Sequence, residues 1–110
     1  MQLNEYQKWA VPLRVNPPKY NIIYPAFGLG DEVGEVMGKI KKWLRGDDGD
    51  GGITDERKES IKLELGDVMW YLAVLSHDLG LSLEEVAKAN MEKLNSRKER
   101  GVLRGDGDNR

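Results

Sequence analysis

The 110-residue chain contains no cysteine, one histidine and one phenylalanine. Without cysteine there is neither a disulfide framework nor thiolate chemistry, and a reducing, cytoplasmic setting is the expected location. The single histidine, His77, cannot supply the paired Glu-x-x-His ligands of a di-iron bundle. No nucleophile elbow accompanies it, which removes a serine triad as well. No apolar run approaches the ~18 residues of a membrane span, so no membrane association is expected. The opening "MQLNEYQKW" lacks the charged-then-apolar order of a secretory leader. A formal net charge of -2 leaves no strong basic field, so no nucleic-acid partner is expected. There is no glycine-rich Walker loop. The acidic run "GDDGDGG" suggests a calcium loop, but counting from Asp48 puts Ile53 where the required glycine belongs, so it reads as a flexible linker.

What remains is a chain 33% charged and 39% hydrophobic, suited to one soluble domain with a modest core. Turn residues divide it into four helices, and no strand-like alternation is long enough to matter. Asn4 with Gln7 predicts a capping box opening a first helix over about 4–14, kinked or ended by Pro12. Pro25 suits the first turn of a second helix reaching about Arg45. Thr54 caps a third, which ends at Leu79 with Gly80 as its left-handed cap. Ser82 with Glu85 opens a fourth, to about Gly101. Residues 1–101 form the domain, and 102–110 read as a polar, flexible tail.

Helical periodicity places Ala26, Leu29, Val33, Val36, Met37, Ile40 and Leu44 on one stripe of the second helix. Ile61, Leu65, Val68, Met69, Leu72, Leu75 and Leu79 do the same on the third. Both stripes are assigned to the core.

Beside those stripes the chain writes one hexapeptide pattern twice. "EVGEVM" begins at Glu32 and "ELGDVM" at Glu64. Acids three residues apart share a helix face, so Glu32 with Glu35, and Glu64 with Asp67, flank matching apolar seams. The loop between the helices demands an antiparallel hairpin, in which the four carboxylates converge. Converging carboxylates need cations or raised pKa values. An all-oxygen donor set suits Mg²⁺, Mn²⁺ or Ca²⁺; the alternative is a solvated acidic face. Gly34 and Gly66 match on the other shoulder, where a missing side chain admits another backbone. In the fourth helix, Asn90 falls within the stripe of Leu83, Val86, Ala87 and Leu94, with Lys93 and Arg97 along its edge. Such a polar stripe suits an anionic ligand held by metals. Alternatively Asn90 is a satisfied core amide, and the cations are solvated or pair with acids such as Glu64.

The pieces "EVGEVMGKIKKW", "ELGDVMWYL" and "NMEKLNSR", in that order, together with "NEYQKWA", resemble the MazG-like nucleotide pyrophosphohydrolases of the all-α NTP pyrophosphatase superfamily. The resemblance covers about residues 3–100. The 28 residues between the two acid motifs make a long spacing for that family. It implies an all-α, four-helix MazG-like bundle with a central antiparallel hairpin, completed by oligomerisation as a homodimer or homotetramer. It implies Mg²⁺ ligation, with Mn²⁺ as a substitute, by Glu32, Glu35, Glu64 and Asp67, and triphosphate contacts from Asn90, Lys93 and Arg97. Lys39 and Tyr71, one turn beyond each acid pair, are further nucleotide contacts, and Trp9 or Trp43 a base-stacking candidate. The implied reaction is hydrolysis of a (d)NTP to the (d)NMP and pyrophosphate, by water activated at the metals, with Glu32 or Glu35 as the catalytic base. The same chemistry on phosphoribosyl-ATP is a second enzyme reading. A non-catalytic helical module that binds a metal or nucleotide is the reading outside enzymology.

Overall fold

A computed structural model describes residues 1–110 and is helical throughout, with no strand. Its elements are α1 (Leu3–Ala10), α2 (Ile23–Leu44), α3 (Asp55–Asp78) and α4 (Leu83–Glu99), with short 3₁₀ turns at Val11–Leu13 and Pro18–Tyr20. No helix is long and apolar enough to cross a membrane.

Local chemistry sets most boundaries. The Thr54 side chain accepts the Arg57 amide at 3.1 Å and starts α3. Gly80 follows the end of α3 with φ of 75°, the left-handed geometry that glycine adopts without a Cβ penalty. Ser82 and Glu85 cap α4 reciprocally: Ser82 Oγ accepts the Glu85 amide at 3.1 Å, and Glu85 Oε2 accepts the Ser82 amide at 2.7 Å. The loop between α2 and α3 is tied back by the Arg57 guanidinium, which donates to Asp48 at 2.8 Å. That partner also holds the Asp48 carboxyl below the usual carboxylate range.

The first helix departs from expectation in its capping. It gives way to the 3₁₀ turn at Pro12 as expected, but no side chain caps its start. Asn4 and Gln7 serve other elements instead. Asn4 Oδ1 accepts the Glu84 amide at 3.1 Å and Gln7 Oε1 accepts the Leu83 amide at 2.9 Å, so α1 caps α4. Gln7 Nε2 also donates to the carbonyls of Ala73 and Leu81. An isolated capping box would have satisfied only two amides of α1; used this way, the same side chains stitch the N-terminus to two distant helices.

The α2–α3 pair is an antiparallel hairpin. Gly28 lies against Tyr71, and Tyr24 stacks at a tilt on Tyr71 with ring centroids 6.5 Å apart. A methyl added at Gly28 would overlap the Tyr71 ring, so glycine sets how closely the helices approach at this level. Nothing lies within 4 Å of a Cβ built at Gly34 or Gly66; the backbone expected to approach there does not come from within the chain.

The core is small and sits at one end. Ala10, Ala73 and Leu83 cluster there, with Tyr6 and Trp70 packed alongside, Val74 is buried as well, and the Trp70 indole donates to the Ala10 carbonyl at 3.1 Å. The stripes assigned to the core do not fill it. Met37 is 66% exposed, Leu44 71% and Leu65 52%, and Val33, Met69, Leu72 and Leu79 are exposed too. Their periodicity is helical, but Val33, Met37, Leu44 and Leu65 are left open to solvent, and Met69 and Leu72 only line a hollow with Leu3, Leu83, Val86 and Ala87. The accessible surface is 8155 Å², against about 6,100 Å² for a compact monomer of this mass. The radius of gyration is 17.1 Å, against about 13 Å.

Candidate metal centre

The acids lie on the flank of the hairpin away from that apolar face. Carboxylate oxygens of Glu32 from α2, and of Glu64 and Asp67 from α3, all lie within 4.8 Å of one another. Glu32 and Glu64 are half-buried between the helices, and Asp67 is exposed. Burial pushes the Glu32 carboxyl above its ordinary range, and the charges of Asp67, Glu64, Asp31 and Glu35 add to this. Three carboxylates at this separation form a hard, all-oxygen donor set that fits a divalent cation such as Mg²⁺ or Mn²⁺.

The remaining predicted site residues fall in three places. Glu35, one turn along α2 from Glu32, is exposed and stands outside the close trio. Lys39 is half-buried on α2 a further turn on. Tyr71 is half-buried beneath the trio against Gly28 and Tyr24, its hydroxyl pushed up by burial first and then by Tyr24, Glu32 and Asp31. These three therefore share the acid flank of the hairpin.

The polar residues of α4 do not join them. Asn90 and Lys93 are exposed, and Asn90 borders a hollow formed with Met69 and Leu72 of α3. Met69 follows Asp67 by two residues, about 200° around the helix, and so lies on the opposite side of α3 from the acids. Arg97 is buried, and its guanidinium donates to the Asp108 carbonyl at 3.1 Å, under the tail. That tail curls onto the end of α4, where Arg110 donates to the carbonyls of Val102 and Gly107. Of the two tryptophans considered for base stacking, Trp9 is exposed and packs on Tyr6, and Trp43 is half-buried on α2.

Two features of the site escaped sequence reasoning. Tyr6 of α1 reaches the acid flank; burial and the Asp67 charge both raise its hydroxyl pKa. An aromatic hollow lined by Tyr24, Phe27, Gly28, Asp31 and Tyr71 opens next to the trio. Its only signal in the sequence was the run of aromatics preceding the first acid motif.

Comparison with known proteins agrees with this architecture. Residues 26–102 match the family described as MazG nucleotide pyrophosphohydrolase domain. The Gene 37 protein of Mycobacterium phage L5 is 51% identical over 87 residues, which cover 79% of this chain and 75% of the phage protein. The YvdC protein of Bacillus subtilis (strain 168) is 30% identical over 103 residues, covering 88% and 96% respectively. The crystal structure of iMazG from Vibrio DAT 722 superposes with a TM-score of 0.62 at 28% identity, over 89% of this chain and 97% of that one. With its helical hairpin, its acid trio and a family match across most of its length, the chain belongs to the MazG nucleotide pyrophosphohydrolase family.

Proposed function

We propose that this protein is a Mg²⁺-dependent nucleoside triphosphate pyrophosphohydrolase that converts a (d)NTP and water to the (d)NMP and pyrophosphate. The observation that carries this reading is the meeting of Glu32, Glu64 and Asp67 within 4.8 Å in a chain of this family. Those three carboxylates would hold the cation, with Glu35 available to complete the set. When bound, Mg²⁺ supplies neutralisation of phosphate charge and acidifies a water molecule.

The chain's own residues divide the rest of the work. Attack of water on the α-phosphorus forms one P–O bond and breaks the bond to the departing pyrophosphate; the water proton must go to a base. Glu35 suits that role because it stands beside the trio without belonging to its close contacts, with Glu32 as the alternative. Lys39 offers a positive charge on the same flank, suited to the phosphate chain. Tyr71, fixed by Gly28 and Tyr24, floors the acid flank and limits where a nucleotide can lie. Asn90, Lys93 and Arg97 are assigned to the triphosphate by the family resemblance.

The test is product analysis with a panel of NTPs and dNTPs. Pyrophosphate and the monophosphate should appear in Mg²⁺ or Mn²⁺, vanish on chelation with EDTA and return with added metal. Undiminished turnover in EDTA, or no turnover of any triphosphate in Mg²⁺, would refute the proposal.

A further inference from the structure

One large apolar residue of α2 stands on the acid flank and not on the apolar stripe. At 100° per residue, Phe27 lies about 120° around the helix from Val33, and Tyr24 about 180°. Tyr24, Gly28 and Asp31 run instead in line with Glu35. Phe27 is 76% exposed on this flank. Tyr71 of α3, one turn beyond Asp67, forms a floor. Its ring lies against Gly28, tilts on Tyr24 and meets the Trp70 ring edge-on with centroids 4.9 Å apart. Together Tyr24, Phe27, Gly28, Asp31 and Tyr71 line a hollow of about 340 Å³, inside the range of small-molecule sites, about 300–1,000 Å³. The hollow begins where the trio ends: Asp31 adjoins Glu32, and Gly28 is one turn from it.

We infer that this hollow takes the nucleoside of the substrate: the base stacks on Phe27 beside Tyr24, and Asp31 accepts a hydrogen bond from a sugar hydroxyl. The inference rests on the proposed pyrophosphohydrolase reading and says where the substrate lies beyond its α-phosphate. The order of residues along α2 carries it. With the α-phosphate at Glu32, Asp31 comes next, and Phe27 and Tyr24 follow at about 7.5 and 12 Å along the helix axis. Phosphate, sugar and base succeed one another in that order in a nucleotide. The chemistry agrees at each level. An ionised carboxylate only accepts hydrogen bonds, and Asp31 makes no ion pair within the chain, so it is open to a hydroxyl donor. Aromatic rings offer a stacking surface to any base. Trp43 lies on the far side of Glu32, near the opposite end of α2, and Trp9 packs on Tyr6; neither faces this hollow.

Calorimetric binding in Mg²⁺ tests this with two kinds of probe. The α,β-imido analogues of dATP and dCTP resist cleavage at the α-phosphorus, and tripolyphosphate carries no nucleoside. Phe27→Ala should weaken both analogues about 10-fold, within the range that loss of one aromatic stacking partner costs, and leave tripolyphosphate binding as in wild type. Phe27→Trp should restore analogue binding. In turnover, Phe27→Ala should raise KM with kcat little changed, the mark of lost uniform binding. Wild type should bind each analogue more tightly than its 2′,3′-dideoxy counterpart, and Asp31→Ala should erase that difference. Equal analogue affinity in wild type and Phe27→Ala overturns the inference. So does a Phe27→Ala protein that loses tripolyphosphate to the same degree, which marks a structural or interface role, or a sugar preference that survives in Asp31→Ala. Should wild type cleave no triphosphate, the pyrophosphohydrolase reading fails, while analogue binding that depends on Phe27 and tripolyphosphate binding that does not would still support a nucleoside site in the hollow.

Discussion

Glu32→Gln and Asp67→Asn should each lower pyrophosphate release by at least about 10²-fold, since even partners that only orient metal ligands cost 10–100-fold when lost. Neither should weaken the metal-free fold. The three carboxylates lie within 4.8 Å of one another, and neutralising one at nearly constant shape removes repulsion. Each variant should therefore unfold at or above the wild-type temperature without metal, by about 1 kcal/mol at most for charges this close to solvent. Adding Mg²⁺ should stabilise wild type, because a ligand that binds only the folded state raises stability by its binding linkage, and should stabilise the variants far less. Paired activity assays and thermal unfolding, with and without Mg²⁺, give both readouts. A solvated acidic face predicts wild-type activity in both variants and melting that ignores Mg²⁺ in all three proteins.

The second large effect lies far from the acids, at the start of α2. Asp78 ends α3 with its side chain 3% exposed and accepts from Arg14 Nη2 at 2.5 Å. Its other oxygen accepts the Ile22 amide at 2.8 Å. Ile22 has φ of 73°, a left-handed conformation that a β-branched residue adopts only when its surroundings impose it. Arg14 also reaches Asn21, while its Nε is buried without a partner. Asp78→Ala would leave a guanidinium only 18% exposed without its anion and a strained turn without its acceptor. The expected cost is about 3 kcal/mol, a fall in melting temperature of about 10 °C or more. Because α2 enters through this turn, Glu32 should also lose register. Asp78→Asn keeps an acceptor for Ile22 and should cost less; Ile22→Gly in the Asp78→Ala background should recover part of the loss. Thermal unfolding at fixed protein concentration checks the series. An Asp78→Ala protein melting with wild type would mean that the latch carries no stability.

These two sites differ in how far the sequence announced them. The meeting of Glu32 with Glu64 and Asp67 was legible because spacing of three on a helix is a local relation, and two local relations plus one short loop bring the two helices' acids together; Glu35, expected to join them, stands outside the close trio. The caps at Thr54 and Ser82 and the left-handed Gly80 were legible for the same reason: each concerns neighbours within four residues. Asn4 and Gln7 have the same local signature, but their hydrogen bonds go to residues 66–80 positions away, which no local pattern encodes. The turn at Ile22 was invisible, since isoleucine argues against the conformation that Asp78 and Arg14 impose. Periodicity identified the apolar stripes of α2 and α3 but not what covers them; Met37, Leu44 and Leu65 read as core and are exposed. Arg97 shared a face with Asn90 and Lys93 on the helical wheel, yet the chain's own tail buries it.

The most direct test of the proposed chemistry follows the water oxygen. Hydrolysis is run in ¹⁸O-water with Mg²⁺ and a turned-over triphosphate, and the products are separated and weighed by mass spectrometry. Attack at the α-phosphorus predicts one ¹⁸O in each nucleoside monophosphate and none in pyrophosphate, with almost no labelled monophosphate formed when Asp67→Asn replaces wild type. Label in pyrophosphate, or a diphosphate and labelled orthophosphate as first products, would contradict it.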